Sequence, residues 1–161
     1  MRTGLLAALV TLALDQASKL WLLFIFEIPK RGAVQFTSFF DLVLAWNTGI
    51  SYGLFQSEGL LGQVILLAIM AVAMVALAVW LLRAQSRLVA ASLGLIIGGA
   101  LGNAIDRLAY GAVVDFALFH VTLGGKTFNW YVFNLADVAI VAGVAGLLYD
   151  TAFGTNAPKA P

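Results

Sequence analysis

From residue 59 to residue 82 the chain runs without a single charged side chain and then meets Arg83. A helix rises about 1.5 Å per residue, so a run of this length covers the roughly 30 Å of a bilayer's hydrocarbon core. A helix that is apolar on every side has no polar face to give to water and must be surrounded by lipid or by protein. At 161 residues, with 62% hydrophobic and 11% charged side chains, the chain is too small and too apolar to bury such a segment as a water-soluble domain. Its solvent is the membrane.

Further apolar runs of about 20 residues predict four transmembrane helices, near residues 4–26, 59–82, 88–108 and 134–150. A short turn with Arg83, Gln85, Ser86 and Arg87 joins the second and third spans as an antiparallel hairpin. Arg2 ahead of the first run resembles the start of a cleavable signal peptide. Asp15 and Lys19 inside that run, and no small-residue cleavage site, favour a retained span. Positive-inside counting puts Arg2, the turn at residues 83–87 and Lys159 in the cytoplasm with both termini, against Lys30, Arg31 and Lys126 on the outer side. Trp80 and Tyr149 then fall near the inner boundary, and Tyr110, Trp130 and Tyr131 near the outer one.

The segments near residues 28–56 and 111–133 lie outside the spans. Residues 34–46 are rich in Phe, Val, Leu and Thr and end in Asn47 to Gly49, which reads as a strand followed by a turn. Residues 113–133 place β-branched and aromatic side chains around Gly124 and Gly125, a hairpin pattern. The expected fold is therefore mainly α, a four-helix membrane bundle with a small β-sheet on its outer face, forming one membrane-embedded domain over residues 1–161. Phe36, Phe39, Phe40 and Phe119 would either dip into the lipid interface or pack against the helices.

Charge and composition remove several function classes. A formal net charge of +1 with scattered basic residues gives nucleic acid nothing to bind. Without cysteine there is no thiolate nucleophile, disulfide or thiolate-ligated metal. The one histidine, His120, would have to recruit carboxylates to hold zinc. Neither metal nor cofactor is expected.

Polar residues within the apolar runs therefore stand out. Asp15 and Lys19 are four apart and share a helix face, as a self-compensating ion pair or as a pair turned toward substrate. Gly98, Gly99 and Gly102 suit close helix packing, and Asn103 and Arg107 point the same way into the bundle. Asp106 reads as a structural carboxylate at a helix end.

Asp115 and Asp137 carry the strongest chemical signal. A carboxylate at membrane depth costs at least about 2.5 to 3.5 kcal/mol, so it calls for a function. Asp137 stands near the start of the fourth helix, where Asn134 and Asp137 also fit an N-cap and its acid three residues on. Asp115 sits in the strand-like run Val113-Val114-Asp115-Phe116, an acid among β-formers. If the two meet, repulsion and desolvation keep one protonated while the other stays ionised. One can then activate a water while its partner donates a proton.

The blocks Asp15-Gln16-Ala17-Ser18-Lys19, Asn47-Thr48-Gly49-Ile50-Ser51-Tyr52-Gly53, Gly98-Gly99-Ala100-Leu101-Gly102-Asn103-Ala104-Ile105-Asp106-Arg107, Val113-Val114-Asp115-Phe116 and Phe133-Asn134-Leu135-Ala136-Asp137 resemble, in order and spacing, the bacterial lipoprotein signal peptidases, or signal peptidase II. Each block alone is weak; five across nearly the whole chain are specific.

That resemblance implies an intramembrane aspartic endopeptidase with an outer-leaflet β-cradle, sensitive to globomycin. It would remove the signal peptide from diacylglyceryl-modified prolipoproteins just before the modified cysteine, working as a monomer in the bacterial inner membrane with its site near the outer face. Carried over by motif, Asp115 and Asp137 resemble the catalytic dyad. Asp15, Lys19, Asn47, Gly49, Asn103, Arg107, Asn134 and Ala136 resemble the shell that orients substrate and dyad. Two rivals predict different behaviour: a proton-coupled exporter would move a cation through Asp15, and a scaffold would tolerate loss of all the buried charges.

Overall fold

The computed structural model describes residues 1–49 and 60–154. Gly59, Lys159 and the Ile50 to Gly53 part of the second motif lie outside them. In chain order the elements are α1 (Arg2–Leu20), which runs on through a π-helical turn at Trp21–Ile25, α2 (Ile28–Arg31), β1 (Val34–Gln35), β2 (Phe40–Asn47), α3 (Leu60–Arg83), α4 (Arg87–Tyr110), β3 (Val113–Leu123), β4 (Lys126–Asn129) and α5 (Leu135–Phe153). Among the described residues, four helices are long and apolar enough to cross a membrane. They correspond to the four predicted spans.

The central helix is α4, packed against α1, α3 and α5. Its small residues explain how. A Cβ built on Gly94 would strike the Gly4 carbonyl of α1, one on Gly98 the Ala8 carbonyl, and one on Gly102 the carboxylate of Asp15. One position round, Gly99 abuts the Ala136 carbonyl of α5. Lipid supplies no hydrophobic drive between helices, so close backbone approach and dispersion hold such a bundle together. The glycine spacing thus serves packing, and it also presses Asp15 and Ala136 against the same stretch of α4. By contrast α3 touches α4 mainly through Leu81, on Ala90 and Leu93, and leaves Val64, Ile69, Val72 and Val75 exposed for lipid.

Two ends of the bundle differ in chemistry. At one, Ser86 caps α4 by accepting from Leu88 and Val89 N–H, and its hydroxyl donates to Asp150 Oδ1 at 3.1 Å. At the other, α1 and α4 finish, α5 begins, and the four strands join in the antiparallel order β1-β2-β3-β4.

The stretch read as one strand over residues 34–46 is instead a hairpin, β1 and β2, turning at residues 36–39. No Gly, Pro or Asn announces that turn; Thr37 Oγ1 makes it by accepting from the Phe39 N–H. The short helix α2 was not anticipated either, and it follows Glu27 with φ 55°. The second hairpin forms where expected: Gly124 and Gly125 have φ 56° and 76°, as a tight two-residue turn demands.

Register sorts the sheet into faces. Asp115, Ala117, Phe119 and Val121 lie on one side of β3, and Leu118, His120 and Thr122 on the other. Phe40, paired with Phe119, packs beside Leu22 and Ile28 at the helix ends and Ala117 on β3. Phe36, Phe39 and Phe119 are exposed. The four phenylalanines therefore divide between the two roles weighed for them, one packed on helices and three open to the surroundings.

Candidate active site

Both aspartates reach the helix–sheet junction by local necessity. Asp115 follows directly from its strand: Ala45 pairs with it, and Asn47, paired with Val113, is its diagonal neighbour on the same face. Asn47 Nδ2 accordingly donates to Asp115 Oδ2 at 3.1 Å. Farther along β3, Ala117 pairs with Phe133 through backbone hydrogen bonds. That bridge delivers the next residue, Asn134, to the side of Asp115.

Asn134 then does two things at once. As the N-cap of α5, its Oδ1 accepts the Asp137 N–H at 3.0 Å, while Asp137 Oδ2 accepts the Asn134 N–H at 3.2 Å. This is the capping box that competed with the dyad reading. It occupies one oxygen of Asp137; the other, Oδ1, accepts from Asn103 Nδ2 at 3.0 Å. Asn134 Nδ2 meanwhile donates to Asp115 Oδ1 at 2.7 Å. One residue therefore bonds both carboxylates, through its side chain to Asp115 and its backbone to Asp137.

Asp115 is 3% exposed, and its carboxyl is raised from the usual carboxylate value to about 6. Desolvation by burial is the main cause and the charge of Asp137 the second; hydrogen bonds from Asn47 and Asn134 and the charge of Lys19 oppose them. The two carboxylates thus feel one another electrostatically. Asp137 is half-buried and is the more open of the two.

Behind them lies a buried charge cluster. Lys19 is 1% exposed, and its ammonium meets Asp15 Oδ2 at 2.8 Å, Asp106 Oδ2 at 2.7 Å and Asn103 Oδ1 at 3.0 Å. A lysine this deep in a membrane protein must be paired, and here it has three acceptors. Asp15, fully buried, also accepts the Ala136 N–H at 2.9 Å, which ties α1 to the first turn of α5. That geometry makes Asp15 and Lys19 a buried ion pair. Arg107 donates to the Gly49 carbonyl at 2.9 Å and to the Asn103 carbonyl at 3.3 Å, anchoring the chain just past β2 on α4.

All ten residues singled out from the sequence, Asp15, Lys19, Asn47, Gly49, Asn103, Arg107, Asp115, Asn134, Ala136 and Asp137, come together here. Asp106, read as a structural carboxylate at a helix end, is buried between Lys19 and the Val114 N–H, which it accepts at 3.1 Å. One contribution was missed. Gln16 donates to Asp106 Oδ1 at 2.9 Å and to the Gly102 carbonyl at 3.2 Å. An amide beside Asp15 in an apolar span was the available signal. His120 stands apart on the sheet, with Nε2 3.2 Å from Asp41 Oδ2.

Fold and site together define a multi-pass membrane protein whose carboxylates converge where the helix ends meet a four-stranded sheet. Solved structures share the architecture: a bacterial membrane enzyme determined in meso at 2.3 Å aligns with a TM-score of 0.76 at 24% identity, covering 100% of this chain and 94% of that one. The family described as signal peptidase (SPase) II matches residues 7–153. The lipoprotein signal peptidase of Nitrobacter hamburgensis is 68% identical over 161 residues, and that of Rhodopseudomonas palustris strain TIE-1 is 66% identical, each alignment covering 100% of this chain and 98% of the relative. The chain belongs to the signal peptidase II family and is a multi-pass bacterial membrane peptidase.

Proposed function

We propose that this protein is an aspartic endopeptidase that removes signal peptides from diacylglyceryl-modified prolipoproteins, cutting just before the modified cysteine. The observation that carries the reading is Asn134, hydrogen-bonded to Asp115 and Asp137 together. Two carboxylates bonded to one residue, with the charge of Asp137 felt at Asp115, can divide the roles of base and acid. The ionised member takes a proton from water, which attacks the scissile carbonyl as the protonated member donates to the carbonyl oxygen; the proton taken from water then passes to the leaving amine as the C–N bond breaks, and the gem-diol returns its proton to the other carboxylate. Asp15, Lys19, Asn47, Gly49, Asn103, Arg107, Asn134 and Ala136 hold that pair and the substrate in place. Neither metal nor cofactor enters this scheme.

Both reacting parts of such a substrate, the signal helix and the lipid on cysteine, reside in the bilayer. We place the sheet on the outer side of the inner membrane and both termini in the cytoplasm, in accord with Arg83 and Arg87 at the opposite end of the bundle. The scissile bond then meets the dyad near water without leaving lipid, and the sheet holds it extended. Extension matters because helical carbonyls are already hydrogen-bonded. One polypeptide supplies every residue named, so a monomer suffices. The exporter reading loses its carrier, since Asp15 is fully buried against Lys19.

The test incubates detergent-purified protein with a diacylglyceryl-modified precursor and with the same precursor unmodified. Cleavage of the modified form alone, blocked by globomycin, is the expected result; equal cleavage of both, or of neither, sinks the reading.

Asn47→Ala removes a donor that lowers the Asp115 pKa. With less stabilisation of the carboxylate, protonation persists to higher pH. Whichever limb of the pH–rate profile follows Asp115 therefore moves upward, by up to about one unit; an unmoved or acid-shifted profile would contradict the contact.

A further inference from the structure

Asparagine amides can point either way, and their direction decides whether a neighbouring carboxylate meets a donor or an acceptor. Asn103 Oδ1 accepts from Lys19 Nζ at 3.0 Å and from Asn134 Nδ2 at 3.1 Å, leaving its own Nδ2 facing Asp137. Asn134 Oδ1 accepts from the Asp137 backbone N–H, which turns its Nδ2 toward Asp115. Turning Asn103 over would set its NH2 against an ammonium and a second NH2, and its oxygen against a carboxylate. Lys19 is a donor with no acceptor capacity, and it is locked by Asp15 and Asp106. No hydrogen bond joins it to Asp115 or Asp137.

We propose that Lys19 is the positioning residue that sets the polarity of the Asn103–Asn134 amide relay, so that both amides present N–H groups to the dyad. This deepens the peptidase reading and rests on it. Lys19 acts through Asn103, 84 positions away in sequence, and its loss leaves the carboxylates in place but lets Asn103 turn. The defect is then in turnover rather than in substrate binding, because Lys19, at 1% exposure, offers no surface for a substrate to touch.

A double-mutant cycle tests this, with kcat and KM measured for Lys19→Met, Asn103→Ala and the pair on the diacylglyceryl-modified precursor. Each single variant is expected to lose about 10-fold to 100-fold in kcat at little change in KM. Once Asn103 is gone, Lys19→Met should cost less than about 3-fold more in kcat. Multiplying effects, or a Lys19→Met defect confined to KM, overturn the relay. Should Lys19→Met fail to fold because Asp15 and Asp106 lose their counter-charge, the cycle is run in an Asp106→Asn background. Wild-type cleavage of the precursor tests the peptidase reading separately, so an active wild type with additive variants rejects only the role given to Lys19.

Discussion

Asp115→Asn and Asp137→Asn each lower cleavage of a diacylglyceryl-modified precursor by about 10³-fold or more, with insertion into the membrane intact. The expected size follows from what the pair does. An amide can neither take a proton from water nor give one to a leaving amine, and partners acting as a unit are lost together when either is removed. The double variant should therefore be barely worse than either single one. At position 115 two effects oppose: a neutral amide relieves the desolvation and the repulsion from Asp137 that raise the Asp115 pKa, while its NH2 must face the Asn47 or Asn134 Nδ2 donor. Position 137 differs, since its carboxylate also closes the capping box; a modestly lower melting temperature is expected there. Full activity in either purified variant would remove the dyad.

Asn134→Ala should be nearly as damaging, and for two separable reasons. Its side chain caps α5, a role worth about 0.5 to 2 kcal/mol, and it donates to Asp115 from a fully buried position. Alanine removes both, so turnover falls by about 10²-fold and the melting temperature drops. Serine separates them. Its hydroxyl is a good cap, yet it is too short to reach Asp115 as the asparagine amide does. Asn134→Ser is thus expected to melt close to wild type while remaining as slow as Asn134→Ala. If serine restores turnover along with stability, Asn134 matters only as a helix cap.

How much of this was legible in the sequence depended on the range of the interaction. The spans were plain because bilayer thickness imposes one length on every crossing, and the Gly124-Gly125 hairpin because its backbone requires positive φ. The β1–β2 turn was hidden since Thr37 serves it without glycine or proline, and α2 is a single turn between an apolar helix and a strand. Of Lys19's three acceptors, only Asp15 was visible, four residues back on the same helix. Asp106 and Asn103 reach it across the bundle, a relation that helical periodicity does not contain. The meeting of Asp115 with Asp137 was likewise beyond local pattern, since it depends on the bridge between Ala117 and Phe133.

The order in which the ribosome releases these parts gives the Asn134 junction another meaning. Asp15, Lys19, Asn103 and Asp115 all emerge before Asn134, Ala136 and Asp137. A nascent chain that has not yet inserted α5 holds one carboxylate of the pair, has no amide bridging toward a second, and leaves Asp15 without the Ala136 N–H it will bind. On the proposed mechanism, a chain that has not inserted α5 carries no dyad and does not cleave.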